Sequence, residues 1–376
     1  MEPFKNKFSV EVIEHMGHTF SQICSAFEKK LFVELASNQL DNLELKQRSE
    51  QITQALLACL PSDYDTAIEA ILNSLAPMRT LNDVDDEAGF GLHGWAIMPI
   101  CDVVVALGIN NDDRFEVSLD TLFCLTMRFS AEFAIRPFLH DNPEKTLEVL
   151  NTRLNDPSHH VRRLISEGTR PRLPWGMRLP KFIEQPKLVL PILKKLRDDP
   201  SEYVRRSVAN NLNDIAKDHP NMVAGLATEW SKGANPNRNK LIKHACRTLL
   251  KQGHPTVLSL YGYLPAELKS AKLQLNKNKL HIGDSICLYL NLLSSSKKNQ
   301  KLLVDYIVYH QKANGSLQPK VFKWRTIELS PNASIELSKE HSFKPVTTRK
   351  YYQGLHKIAV LINGKEFEST SFELVI

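Results

Sequence analysis

An internal repeat restricts this chain more than any other feature. The run Asp156-Pro157-Ser158-x-x-Val161-Arg162-Arg163 returns as Asp199-Pro200-Ser201-x-x-Val204-Arg205-Arg206, every matched pair lying 43 residues apart. A period of that length is typical of HEAT and armadillo arrays. Each unit is then two helices that cannot bury an apolar face alone, joined where Asp-Pro-Ser ends one helix and starts the next. A degenerate third copy follows, with Pro236 and then Leu241-Ile242-Lys243.

Helical spacing also runs upstream. Phe20, Ile23, Cys24, Phe27 and Leu31 share one such run, and Tyr64, Ile68, Ile71, Leu72 and Leu75 form another after Pro61-Ser62, with Ser62 placed to cap it. Asp83 to Gly91, with Asp85-Asp86-Glu87 and two glycines, reads as a loop. After about residue 263 the apolar period drops to two: Lys272 to Leu275, Ile286 to Leu290, Leu303 to Tyr309 and Lys357 to Ile362 read as strands. Ile362-Asn363-Gly364-Lys365 is a strong hairpin signal. About seven short strands in roughly a hundred residues predict an immunoglobulin-like sandwich, one without an inter-sheet disulfide, since the segment holds only Cys287. The expected fold is therefore an all-α HEAT-like helical-repeat solenoid over residues 1–262, followed by an all-β immunoglobulin-like sandwich over residues 263–376.

Composition enters through charge. The net +6 hides an asymmetry: residues 1–140 hold 10 Lys+Arg against 21 Asp+Glu, residues 141–260 hold 21 against 12, and residues 261–376 hold 17 against 9. Basic residues concentrated in the last two-thirds point to a polyanionic partner. There is no long uninterrupted apolar stretch and no apolar core near Met1 to Val10, and the six cysteines form no Cys-x-x-Cys pair. A cytoplasmic protein with reduced thiols is expected.

Arg163, Glu167 and Arg170 fall at i, i+4 and i+7 and so share a helix face. One repeat later stand Arg206, Asn210 and Asn213, with Asp214 alongside. Stacking predicts a polar stripe on the concave surface, two carboxylates among arginines, too polar for a core. Periodicity alone is equally consistent with inter-repeat salt bridges. Beyond the helix, Trp175 stands between Pro174 and Gly176, where a rigid loop makes it a platform for a flat cation or a wedge between repeats. His15 and His18 read as a surface-helix pair, Asn332-Ala333-Ser334 as an unused glycosylation match, and Lys297, Lys298 and Lys301 as a solvated turn.

Three runs, Phe129 to Pro137, Val161 to Leu179 and Arg205 to Asp214, together resemble the AlkC branch of the HEAT-repeat DNA glycosylases, relatives of the AlkD enzymes. The resemblance covers about residues 10–262, and the tail resembles the Ig-like domain that some members append. It implies a monofunctional glycosylase that hydrolyses the N-glycosidic bond of cationic alkyl-bases such as 3-methyladenine and 3-methylcytosine in double-stranded DNA, with no metal, cofactor or membrane, and working as a monomer. The site positions it implies are Glu132, Arg163, Glu167, Arg170, Trp175 and Asp214. Glu167 and Asp214 would stabilise an oxocarbenium-like sugar and orient water, assisted by Glu132. Trp175 would hold the cation, and Arg163 and Arg170 the flanking phosphates. Arg206 and Asn210 extend the expected DNA-binding face. Arg349 and Lys350, in the hydroxyl-, cation- and aromatic-rich run Thr347 to Tyr352, form an expected second contact with DNA. The competing reading is a non-enzymatic helical-repeat scaffold for nucleic acid. Such a scaffold has no reason to set Glu167 and Asp214 in a phosphate-binding stripe.

Overall fold

The computed structural model describes residues 3–77, 91–347 and 349–376. The expected Asp83 to Gly91 loop lies outside these residues except for Gly91, as does Thr348. The chain divides into two compact units, one holding residues up to Asp218 with Pro236–Ala245, the other His219–Asn235 with Cys246–Ile376.

The first unit is helical: α1 (Val10–Ile23), α2 (Lys29–Ser37), α3 (Leu45–Cys59), α4 (Tyr64–Asn73), α5 (Ile97–Gly108), α6 (Asp112–Thr126), α7 (Ile135–Asp141), α8 (Pro143–Thr152), α9 (His159–Gly168), α10 (Pro180–Glu184), α11 (Leu190–Leu196) and α12 (Glu202–Ile215). The sequence then crosses α13 (Pro220–Ser231) of the second unit and returns with α14 (Pro236–Ala245), which packs on α12. No described helix is long and apolar enough to cross a membrane. The apolar run from Phe20 to Leu31 is not one helix. It breaks after Ile23, so that Phe27 stacks back on Phe20 with ring centroids 5.3 Å apart and meets Phe32 at 5.4 Å. The cap of α4 is Asp63 rather than Ser62: its Oδ2 accepts from Thr66 N at 2.9 Å. The Asp63 carboxylate, one residue nearer the helix, reaches the orphan N–H.

The repeat is welded by its own motif. Asp156 Oδ1 accepts from Ser158 N at 2.9 Å, and Asp199 Oδ1 from Ser201 N at 2.8 Å, closing the turns that launch α9 and α12. Arg162 donates to the carbonyls of Asp156 (2.6 Å) and Pro157 (3.0 Å), and Arg205 does the same to Asp199 (2.5 Å) and Pro200 (2.8 Å). Arg162 also reaches into the next unit as a bidentate pair with Asp199, at 2.6 and 3.0 Å. Position 242 is isoleucine, so Arg205 has no matching acid. Arg238 on α14 instead donates back to both oxygens of Asp198, its Nε at 2.7 Å from Oδ1.

The second unit joins α13, α15 (Arg247–Lys251) and α16 (Pro255–Leu260) to eight strands: β1 (Leu268–Leu275), β2 (Lys279–His281), β3 (Ser285–Ser294), β4 (Gln300–Gln311), β5 (Leu317–Leu329), β6 (Ser334–Ser342), β7 (Gly354–Ile362) and β8 (Lys365–Val375). They form a three-stranded sheet β1-β3-β6 and a five-stranded sheet β2-β8-β7-β4-β5. Leu288 of one sheet and Val308, Ile358 and Phe372 of the other share a buried core, as Ig-like architecture requires. The Asn363-Gly364 hairpin forms as expected: Ile362 pairs with Lys365, with φ of 48° and 79° at the two turn residues. A Cβ on Gly364 would come within 2.5 Å of Gly253, so this glycine also permits a backbone contact.

Three histidines, His310, His341 and His356, are buried around Phe343. Burial, reinforced by neighbouring Arg349, pushes His310 down to about 3; burial takes His341 to about 4 and lowers His356 as well. Unfolded histidine titrates near pH ~6.5. Below that value the unfolded chain binds protons that the folded domain refuses, so stability falls as pH drops through the window towards the folded values. Melting followed by β-sheet signal should therefore come several degrees earlier near pH ~5 than near pH ~7.5; an unchanged melting temperature would contradict neutral buried histidines. In the helical unit, Asp199→Ala leaves the half-buried Arg162 without its carboxylate and should cost about 3 kcal/mol in urea unfolding. A loss under about 1 kcal/mol would show the weld to be dispensable.

Candidate active site

Helix α9 ends at Gly168, where any Cβ would come within 2.5 Å of Ile135 Cγ2. Arg170 therefore lies past the helix rather than on its face, and its side chain turns back. Its Nη1 donates to Glu167 Oε1 at 2.6 Å and its Nε to Asp214 Oδ2, on α12, at 2.8 Å. The other oxygens are engaged too: Glu167 Oε2 accepts from Ser207 Oγ at 2.6 Å, and Asp214 Oδ1 from Lys217 Nζ at 2.9 Å. Glu167, Arg170 and Asp214 are only 5%, 7% and 2% exposed. The expectation of an open stripe too polar for a core is corrected here, because mutual pairing lets the interior hold these charges. Burial pulls the Arg170 guanidinium down, but Glu167 and Asp214 outweigh it and hold it above the ordinary arginine value.

A second arginine shapes the chain that follows. Arg136, fully buried, donates to the carbonyls of Gly168 (2.7 Å), Arg170 (2.8 Å) and Met177 (2.6 Å). Burial, with Arg170 nearby, pushes it down to about 10. It rivets both ends of the loop that carries Trp175.

Around these groups opens a cleft of about 500 Å³, within the range of ligand pockets. Its polar lining includes Glu132, Arg163, Glu167 and Arg170. Arg163 donates to Glu132 and, at 2.8 Å, to Ser130 Oγ, while its Nη2 stands 3.5 Å from Glu167 Oε1, so it bridges the two carboxylates. Its guanidinium also lies 5.0 Å from the Tyr203 ring centroid. The apolar lining is aromatic: Trp95 against Phe129 at 5.2 Å, with Phe133, Tyr203 and Trp175. Carboxylates set among aromatic rings suit a planar cation.

Of the residues expected from the sequence, Glu132, Arg163, Glu167, Arg170 and Trp175 thus meet in one cleft. Asp214 does not line it, but stands behind Arg170. The expectation that Arg163 and Arg170 hold phosphates is set aside, because both guanidinium groups are turned to carboxylates. Arg206 is not brought in; it stands 3.7 Å from Glu202 in a separate groove with Lys240 and His244, and Asn210 Oδ1 lies 3.0 Å from His244 Nε2. A step of one repeat carries a side chain along the stack, not into the same cleft. Arg349 and Lys350 belong to the second unit, where Arg349 donates to His310 Nε2 at 3.0 Å and Lys350 lies 5.6 Å from the Tyr352 ring centroid. Lys46, Trp95, Met98, Tyr203 and Ser207 went unseen. Tyr203 and Ser207 could have been found, since they sit inside the repeat; Lys46, Trp95 and Met98 carry no local signal.

A family model described as the C-terminal Ig-like domain of the uncharacterised protein YhaZ matches residues 269–376, and a HEAT-repeat model matches residues 189–219. The chain is 35% identical over 379 residues to the uncharacterized protein YhaZ of Bacillus subtilis, with 100% of both chains covered. It is 36% identical, again over 100% of both chains and with a TM-score of 0.87, to the alkylpurine DNA glycosylase AlkC of Pseudomonas fluorescens, solved bound to DNA containing an abasic site analogue.

Proposed function

The chain belongs to the AlkC family of HEAT-repeat DNA glycosylases with an Ig-like domain, and from that premise we propose that it is a monofunctional glycosylase releasing cationic N-alkylated bases, 3-methyladenine first and 3-methylcytosine with it, from duplex DNA. The observation that carries this reading is the pair of carboxylates, Glu132 and Glu167, in an aromatic cleft where they are set against Arg163 and Arg170. A surface made only to bind phosphates would be weakened by negative charge there.

The chemistry follows from the charge of the substrate. When the bond from C1′ to the base nitrogen breaks, the electron pair goes to the cationic base and neutralises it, so the leaving group needs no proton. The sugar is left positive. Glu167, with each oxygen held by a donor (Arg170 and Ser207), offers fixed negative charge to that developing cation. A water then attacks C1′ and gives its proton to Glu167 or Glu132. Trp175 and the other rings favour the cationic base over its neutral counterpart. Asp214 acts through Arg170 as a positioning residue. Arg206, Asn210, Arg349 and Lys350 remain proposed contacts to the DNA backbone.

Glu167→Gln keeps the shape and removes the charge. It should slow base release about 100-fold or more while DNA binding holds or tightens, and Asp214→Asn should slow it less; full activity in both would defeat the assignment. Substrate choice gives an independent check. Matched duplexes carrying 3-methyladenine or uracil should lose only the cationic base, because among the described residues that line the cleft there is no histidine to protonate a neutral leaving group. Comparable release of uracil would refute the charge-based mechanism, and DNA binding without release of either base would leave the scaffold.

A further inference from the structure

Trp175 is unusual twice over. It is 65% exposed although it lines the cleft, and its backbone lies in the left-handed region at φ 63°. Among the described residues, the other non-glycine positions with positive φ are Gln39, Asn332 and Asn363, polar side chains that suit turns. A bulky residue pays about 1–2 kcal/mol for this conformation, and it persists only where the surroundings impose it.

Three contacts impose it. Arg136 holds the Met177 carbonyl at 2.6 Å. Gly176 N donates to Leu173 O at 3.1 Å, and a Cβ on Gly176 would lie 3.0 Å from Leu173 Cδ2. The Trp175 carbonyl itself accepts from Lys46 Nζ, 129 residues away in sequence.

Lys46 sits in the first turn of α3, where the helix dipole disfavours a cation. The local helix gains nothing from it there, since a capping box between Glu44 and Gln47 already closes that end. The charge finds its compensation elsewhere: the Trp175 carbonyl, the Phe133 ring with its centroid 6.0 Å away, and the carboxylate of Asp102. Burial, with Glu50 adding to it and Lys46 opposing, pushes the Asp102 carboxyl up to about 6.

We propose that Lys46 is a positioning residue that fixes the Trp175 indole at the rim of the cleft by gripping its carbonyl, and that it contributes to base release through Trp175 rather than by touching DNA. The proposal rests on the glycosylase reading above. It makes two distant segments, the start of α3 and the loop after α9, into one functional element.

A double-mutant cycle tests this. Lys46→Met keeps the aliphatic stem and removes the donors; Trp175→Ala removes the indole. Each should slow single-turnover release of 3-methyladenine about tenfold or more, with little change in Kd for a duplex carrying an abasic-site analogue. The double variant should be no slower than Trp175→Ala alone, and Lys46→Arg should recover most of the rate. In parallel, protein labelled with 5-fluorotryptophan reports the loop directly. The Trp175 fluorine resonance, assigned by its loss in Trp175→Phe, should shift or broaden in Lys46→Met and return in Lys46→Arg. Additive losses in the cycle would mean that Lys46 acts on its own, and an unmoved resonance would mean that it does not hold the loop; either overturns the proposal, as does full activity in Trp175→Ala. Should the unmodified protein release no base, the glycosylase reading fails while the fluorine spectra still decide the tether.

Discussion

The buried guanidinium of Arg170 is the constraint on which the rest of the helical unit depends. A charge removed from water costs several kcal/mol unless its partners are placed to compensate it. Here the partners come from two repeats, Glu167 at the end of α9 and Asp214 near the end of α12. The spacing of these helices therefore cannot drift without stranding a charge. The loop after α9 inherits the same demand, because Arg170 must leave the helix at Gly168 to reach both acids, and Arg136 then holds the carbonyls that this departure exposes.

This arrangement separates two tasks that a basic protein could confuse. Arginines turned to carboxylates are withdrawn from phosphate and hold those carboxylates in place around the cleft. Most of the chain's other Lys and Arg lie outside the cleft. Aromatic walls serve the first task in the same way, since a ring face attracts positive charge and carries none of its own.

Much of the fold was legible because it depends on periodicity and turn chemistry. The 43-residue repeat located α8, α9, α11 and α12, and Asn363-Gly364 located the β7–β8 hairpin. Periodicity failed where the chain bends on itself: the spacing from Phe20 to Leu31 suits a helix, yet stacking of Phe27 on Phe20 breaks it. Within the site, Glu132, Arg163, Glu167, Arg170 and Trp175 were legible because they lie in recognisable runs, though helix spacing wrongly set Arg170 on an open face. Lys46, Trp95 and Met98 were not legible. Their partners are distant in sequence, and a lysine in a first helical turn reveals its purpose only when the carbonyl it meets is known.

The adjacent residues Asp198 and Asp199 face opposite ways along the array. Asp199 takes Arg162 from the preceding unit and Asp198 takes Arg238 from the following one. In a quasi-one-dimensional stack, each repeat ordinarily senses only its nearest neighbours, and an array can fray from one end while the other stays folded. A single dipeptide bonded in both directions opposes such fraying. It transmits cooperativity across the middle repeat, so that the helix bearing Glu167 and the outlying α14 are coupled to unfold together, and the cleft is stabilised by contacts that never approach it.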